Sequence, residues 1–562
     1  MAGETLLLEV KDFKDPLHWR WVLTDGKGKF LQDFEVDLDS SDPNYSAFLD
    51  LESFLETHSA PDKWLDDETR LIYQVGSWMG KEALGRIGER LAKFSTPVTV
   101  RVVVPQEASG LLYRPWEIAV VGDKPPALRN VSLVFDFSGE PLKTDPIPDR
   151  LRMLAVFSLP TDQSALSLRR ERYELMKLIN QRARSRGLAI EMRVLQYGTT
   201  RQSLQEVLEE GEGWDLIHFS GHGDKATLIL ENPDGSYDPV SSEDLSALLS
   251  LASGRLKLVT LSACLSAAAT LQETLEWLNV RKPEQIRGAQ ACGSSGNAPM
   301  SALAVELMTK LGCAALAMRY PVGDDFAINL STELYRLMLE KGNTLTRSLQ
   351  LAMQNSLNAG YNAATPPLSL ATPALFGSRA ADLILRPPRA PTGQLVSATE
   401  GLPYFPAEPK RFVGRTGALG RASSALAPES EMRGVLFHGM AGAGKTSCAL
   451  EISYHQRRSP RFQYFVWHEA PKEDSDIEGA LASLAVDMEM QLPGFKMAHV
   501  VDQAKEFRAW LPNLSEILEQ NAILIVLDNL ENLLTSEENG RTNAGAGSCR
   551  LCWSMRASPG WF

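Results

Sequence analysis

Between residues 151 and 320 the chain alternates short apolar runs with amphipathic stretches, and that alternation leaves few folds open. RMLAVFSL, LAIEMRVLQ, LIHFS, LVTLS and CAALAMRY read as strands. LIHFS and LVTLS are β-rich apolar runs bounded by polar and Gly punctuation, as buried strands of a parallel sheet are. LRRERYELMKLINQRARSRG, SLQEVLEEG, SEDLSALLSL and MSALAVELMTKLG read as the intervening helices. The first of these ends on basic residues and a Gly stop, which suits the helix dipole and a left-handed C-cap. Strands alternating with helices imply an α/β fold, a parallel sheet with right-handed crossovers.

Two of these strands end on a reactive side chain. WDLIHFSGHGD carries His222, and LKLVTLSACLSA carries Cys264. Open α/β sheets place their chemistry at the carboxyl ends of strands, so the two are expected to face each other across one crevice. A thiol nucleophile needs a nearby base and an oxyanion site, and this arrangement supplies both. Gly221 and Gly223 flank His222, which predicts a sharp backbone turn that exposes the imidazole. Ser262, Ala263 and Ser266 are small and leave room for a substrate carbonyl. On spacing alone the other reading stays open, with Cys264 a buried small hydrophobe and His222 a turn residue. His218 and His222 have the i, i+4 spacing of a helical metal site. On a strand that spacing separates them by roughly 13 Å, so no metal is expected and His218 reads as a strand side chain.

At these residues the chain resembles the caspase-like (clan CD) cysteine peptidases, specifically their bacterial CHAT branch. SGHG at 220–223 and LSAC at 261–264 match that family's His and Cys strand ends in order and separation. RMLAVFSLP before a Glu-containing helix, GNAPMSALAVELMTKLGCAALAMRYPVGDD after the Cys, and LLYRPWEIA upstream match its context. The resemblance covers 100–385 well and 1–100 weakly. It implies a caspase-like parallel-sheet α/β sandwich, with Cys264 as nucleophile and His222 as general acid/base. It also implies an oxyanion hole from the N–H groups of Gly223 and Cys264, and no cofactor for the peptidase. In such enzymes the stretch after the Cys, here 265–297, builds a cleft wall and is cut on activation; a plain surface loop is the alternative. Asp324 and Asp325 read either as N-terminal helix residues or as partners of a basic substrate side chain.

The flanks divide the chain further. Residues 1–150 mix strand-like runs (TLLLEV, VTVRVVV, SLVFDF) with amphipathic helical stretches around 65–93, an α+β subdomain with no chemical constellation of its own. LLYRPWEIAVVG reads as a strand leading into a short helix. The peptidase core is expected over 151–385, and 386–410, with six prolines, as a semi-stiff linker.

A second α/β pattern follows over 411–562. RGVLFHGMAGAGKTSCALEI reads as strand, Gly-rich loop and helix, with Gly439, Gly442, Gly444, Lys445 and Thr446 in or around the G-x-x-x-x-G-K-[ST] pattern. Backbone N–H groups of 440–446 are expected to cradle the phosphates of ATP, with Lys445 meeting the β/γ-phosphates. AILIVLDN reads as the second motif strand, with Asp528 and the Thr446 hydroxyl on Mg²⁺. With FVGR at 412–415 these motifs resemble the STAND and NB-ARC type signalling NTPases. Asn529 stands where that family usually has a second acidic residue, so slow hydrolysis is expected. The sequence ends before the two further strands, sensor Arg and helical lid that the family implies, so an incomplete P-loop NTPase domain is expected. RTNAGAGSCRLCWSMRASPGWF has no periodicity and reads as an aberrant tail; Cys549 and Cys552 lack a second ligand pair for zinc.

Composition sets the partners and the compartment. The net charge of −13 argues against nucleic acid, which needs clustered Lys and Arg. The acidic run 37–52 reads as a solvated surface, or as a feature that attracts a basic peptide. No apolar stretch reaches the ~18 residues of a membrane span, and the N-terminus lacks the basic and apolar regions of a signal peptide. Six cysteines without framework spacing suit free thiols in a cytoplasmic protein. The resulting expectation is a caspase-like cysteine endopeptidase acting on a protein or peptide, gated by a nucleotide-binding domain and able to form homo-oligomers on activation. Such fusions resemble bacterial defence or cell-death effectors. The alternative is an inactive scaffold whose activity is nucleotide-dependent oligomerisation.

Overall fold

The computed structural model describes residues 4–533, apart from 138–144, 269–301, 390–401, 427–429, 458–461, 472–476 and the single positions 165, 211, 253, 359, 410, 411, 413, 431, 433 and 502. Most of the expected linker, nearly all of the loop after Cys264 and the whole tail with Cys549 and Cys552 therefore lie outside the described residues.

One large sheet organises residues 4–376. Its strands are β1 (Glu4–Asp15), β2 (His18–Asp25), β3 (Phe30–Asp37), β4 (Val98–Val103), β5 (Val131–Asp136), β6 (Leu151–Ser158), β7 (Ile190–Gln196) and β8 (Leu216–Gly221). After the small β9 (Gly223–Asp224), β10 (Thr227–Glu231) and β11 (Tyr237–Ser241), which form a sheet of their own, come β12 (Leu258–Ser262), β13 (Ala314–Met318) and β14 (Pro373–Phe376). The order across the 11-stranded sheet is β3-β2-β1-β4-β5-β14-β13-β12-β8-β6-β7. From β7 to β13 every pairing is parallel, as the βα alternation requires. β14 runs antiparallel to β13 and pairs with β5 at Phe135. That pairing carries the sheet from the amino-terminal strands into the core without a break.

The Gly stop expected after the first long helix forms, and other helices carry comparable caps. The helix Leu168–Arg186 stops at Gly187, which takes the left-handed φ of 59°. Thr200 caps the helix Arg201–Leu208, and Ser241 caps Ser242–Leu249. The helices Leu303–Leu311 and Asp324–Lys341 end at left-handed Gly312 and Gly342. Every residue of β6, β8, β12 and β13 is buried, the reason these strands lack polar alternation.

LLYRPWEIAVVG forms no strand. It makes 3-10 helices at Gln106–Tyr113 and Trp116–Ile118. Pro115 cannot donate to a ladder, and the segment is buried by side-chain bonds instead. Arg114 donates to the carbonyls of Gly110 and Leu49, and Trp116 Nε1 donates to Leu111.

Beyond residue 401, β15 (Tyr464–Glu469) and β16 (Ile523–Asp528) pair in parallel as a two-stranded sheet. The run VLFHG was expected as a strand beside them, and among the described residues it joins no sheet. Its alternation survives: Val435 and Phe437 pack against an apolar cluster while Leu436 is 76% exposed. Among the described residues the ladder does not form: β15 and β16 pair only with each other. Among the described residues no helix is long and apolar enough to cross a membrane.

Candidate functional site

β8 and β12 are parallel neighbours in a register that sets Ser220 against Ser262. His222 and Cys264 each follow their paired serine by two residues, so the chain delivers both side chains to one level of the sheet's carboxyl edge. The close approach explains the glycines. A Cβ on Gly223 would lie 2.8 Å from the Cys264 carbonyl oxygen and 3.0 Å from the Ala263 Cβ. A Cβ on Gly221 would lie 2.6 Å from the Ser158 carbonyl oxygen. Neither glycine takes a positive φ. They are needed for backbone contact, and the sharp turn expected from them is not formed.

His222 is partly exposed, and its Nε2 lies 2.8 Å from the carbonyl oxygen of Ser164. A carbonyl only accepts, so Nε2 carries the proton and Nδ1 is the basic nitrogen of the neutral ring. Ser164 lies in the segment between β6 and the helix Leu168–Arg186. Among the described residues no hydrogen bond joins His222 directly to Cys264.

Cys264 is half-buried and opens a turn in which Leu265 takes a left-handed φ of 57°. A branched side chain rarely adopts that conformation. Buried Ser266 holds it, because its Oγ accepts the Met318 N–H at 2.9 Å and so ties the turn to the end of β13. Burial pushes the Cys264 thiol up, and the carboxylates of Glu52 and Asp324 push it further, against a hydrogen bond from the Val322 N–H. Glu52 belongs to the acidic run of the amino-terminal region and is itself raised by burial and by Glu56 and Asp50. That region therefore does reach the site.

A raised thiol holds less thiolate at any given pH, and only the thiolate alkylates. Alkylation of Cys264 by iodoacetamide is therefore expected to climb about tenfold per unit from pH 7 to 9. It should run ahead of the fully buried Cys313, whose thiol burial pushes up to about 12. Peptide-resolved mass spectrometry reads both rates. A Cys264 rate already flat at pH 7 would contradict this resting state.

Asp324 and Asp325 are the first residues of their helix, whose N-cap is Gly323. Asp324 accepts the Ser167 N–H at 2.7 Å, and Asp325 pairs with Arg170 at 2.5 Å. They fasten one helix start to another. His218 is more than a strand side chain. It is fully buried, with Nε2 3.1 Å from Glu171 Oε1 and Nδ1 3.3 Å from the Tyr335 hydroxyl. Glu171 also accepts from Ser220 Oγ at 2.5 Å and Ser331 Oγ at 2.9 Å. Burial acts to raise the Glu171 carboxyl, but His218, Ser220 and Ser331 outweigh it and hold it below its ordinary value. A Glu on the helix facing an H-x-S strand was the available signal for this network.

The glycine-rich segment is built as a loop closing onto the helix Lys445–Arg457. Gly439, Gly442 and Gly444 have φ of 150°, 77° and 87°, where only glycine is comfortable. Lys445 Nζ donates to the Gly439 carbonyl at 3.1 Å. Thr446 Oγ1 lies 2.9 Å from Asp528 Oδ1, so the hydroxyl and carboxylate expected on Mg²⁺ are together. These residues fit a phosphate with its cation. Asn529 donates to Glu469 at 3.0 Å, which places an acidic side chain beside the position where the sequence lacks one.

Fold and site define a mixed α/β protein with a thiol and an imidazole side by side at the carboxyl edge of a large, mostly parallel sheet, compatible with a caspase-like fold. The CHAT domain profile matches residues 82–366, slightly more than half of the chain. The chain belongs to the CHAT-domain family. Two solved structures of the Saccharomyces cerevisiae separase-securin complex are also similar. The one at 2.6 Å resolution has 10% identity and a TM-score of 0.40, covering 66% of this chain and 30% of that one. The one at 3.0 Å has 9% identity and a TM-score of 0.39, covering 67% and 30%. The chain thus spans 30% of the length of each of these two chains. No curated protein matches the sequence.

Proposed function

We propose that the chain is a cytoplasmic cysteine endopeptidase that cleaves a protein or peptide substrate. What supports this is the register of β8 and β12, which pairs Ser220 with Ser262, two residues before His222 and Cys264 respectively. In the reaction, Nδ1 of His222 takes the Cys264 proton and the thiolate attacks the scissile carbonyl. The N–H groups of Gly223 and Cys264 hold the oxyanion, the imidazolium protonates the leaving amine, and water releases the acyl group. A degenerate peptide library incubated with the full chain tests this. Reproducible cleavage at a restricted set of bonds is expected; an intact library, with and without Mg-ATP, would sink the reading.

We further propose that residues 411–531 bind ATP and Mg²⁺ through Gly439, Gly442, Gly444, Lys445, Thr446 and Asp528 and gate the peptidase, as in a bacterial defence or cell-death effector. Binding by this chain is expected to be weak, because among the described residues the segment 434–438 that carries the loop belongs to no sheet. A ligand stabilises only as RT ln(1 + [L]/Kd). Mg-ATP should therefore give no clear rise in Tm, and Lys445→Ala should melt like the parent. A shift of several degrees that this substitution removes would show a working site.

The second reading, an inactive scaffold that oligomerises with nucleotide, is favoured by one feature: the raised Cys264 thiol. It predicts nucleotide-dependent assembly in sedimentation together with an uncut library.

A further inference from the structure

We propose that Glu451, on the helix that follows the glycine-rich loop, is a positioning residue for His222 and acts through the helix Leu168–Arg186. This rests on the peptidase reading above.

Glu451 has no exposed surface although it is an acid. Its carboxylate is gripped from the peptidase side. Both oxygens lie 3.1 Å from Arg169 Nε, and Oε1 lies 2.8 Å from Arg172 Nη2. The Tyr197 hydroxyl adds a contact at 3.4 Å. Burial works to raise the Glu451 carboxyl, and the two guanidinium groups outweigh it and hold it low. Arg169 also donates to the Pro409 carbonyl at 2.6 Å and stands 5.7 Å from the Phe412 ring centroid. One turn of the 168–186 helix is therefore clamped by three separate points of the carboxy-terminal half.

The same turn holds the site. Residues 169 and 172 share one helix face, and 171 points away from them. Glu171 reaches His218 and Ser220 on β8, which ends one residue before His222. The segment just before the turn carries Ser164, whose carbonyl accepts the His222 Nε2–H hydrogen bond, and Ser167, whose N–H is held by Asp324. A shift of this turn moves the group that orients the imidazole. Removing the Glu451 carboxylate takes from Arg169 and Arg172 their shared buried partner; Arg172 keeps Gln196 at 2.7 Å and Glu408 at 3.7 Å, Arg169 keeps the Pro409 carbonyl, and the two groups resettle on these contacts. Glu451 also follows Lys445 by six residues on one helix, about 9 Å along its axis. The helix that starts at the glycine-rich loop therefore also supplies the carboxylate that holds the imidazole's support.

The test compares the full chain with Glu451→Ala and Glu451→Gln, reading hydrogen exchange by mass spectrometry and the kinetics of a cleaved peptide. With Glu451→Ala, exchange over 159–172 should rise and kcat should fall, each by roughly 2- to 30-fold, the range of coupling between linked sites. KM should hold, because Glu451 is given no contact with substrate. Glu451→Gln keeps an acceptor of the same size and should recover part of both effects; if Glu451→Ala aggregates, Glu451→Gln against the parent carries the comparison. Glu340→Gln is the control. It breaks the ion pair with Arg182 at the far end of the same helix, and should leave exchange over 159–172 and kcat unchanged. Parental exchange and kcat in the Glu451 variants would overturn the proposal, as would an equal effect of Glu340→Gln. A parent chain that cuts no peptide removes the peptidase reading, while the exchange comparison still decides whether Glu451 holds the Ser164 segment.

Discussion

Cys264→Ala is expected to abolish peptide cleavage, and His222→Ala to lower kcat/KM by about 10²–10⁴-fold, the usual contribution of a positioned general acid/base. The two losses should not add in the double variant. Without the thiolate there is no acyl intermediate for the imidazole to serve, so the pair acts as one unit. Both substitutions should be tolerated by the fold. His222 is partly exposed and Cys264 is only half-buried, so neither leaves a closed cavity. The measurement is the rate on any peptide found in the library, with circular dichroism to show that each variant is folded. Retained cleavage in Cys264→Ala would place the nucleophile elsewhere. A loss in His218→Ala as complete as that in His222→Ala, with the fold intact, would mean that the wrong histidine had been assigned.

Glu171→Ala carries the second large effect, and it falls on stability. Glu171 is the shared acceptor for His218, Ser220 and Ser331 in a fully enclosed place. Removing one partner of such a buried pair costs about 3–5 kcal/mol, because the other is left uncompensated. His218→Ala should cost a similar amount, and the double variant less than the sum of the two. Proteolysis after urea steps, read at peptides from 151–376, gives the midpoints. The pH dependence has a definite sign. The Glu171 carboxyl is held below its ordinary value of 4.5 in the folded chain. Its contribution is therefore complete above that value and is lost as pH falls through the depressed one. Parent and Glu171→Ala should differ most near neutrality and converge in acid. A difference that instead grows as pH falls below neutrality would show that the Glu171 carboxyl is held above its ordinary value and not below it.

What the sequence determined by itself was local and periodic. The apolar runs of β6, β8, β12 and β13 announce strands buried on both faces, and their alternation with helices makes them parallel. Gly187, Gly312 and Gly342 announce helix ends, because each takes a conformation that side chains avoid. Parallel neighbours in register also carry His222 and Cys264 to one edge, and residue order alone suggested that much. Contacts between residues far apart in the chain were decided only by the tertiary structure. Ser164 is 58 residues from His222, and Glu171 is 47 from His218. Glu451 is 279 residues from Arg172. Beyond the H-x-S pattern of β8 no local pattern points to such pairs, because they depend on how helices cross the sheet. The same holds for two local expectations that failed. LLYRPWEIAVVG has the composition of a strand, but Pro115 and the buried bonds of Arg114 and Trp116 direct it into 3-10 turns. VLFHG keeps the alternation of a strand, but a strand is completed by its neighbours' backbone groups, and among the described residues it has none.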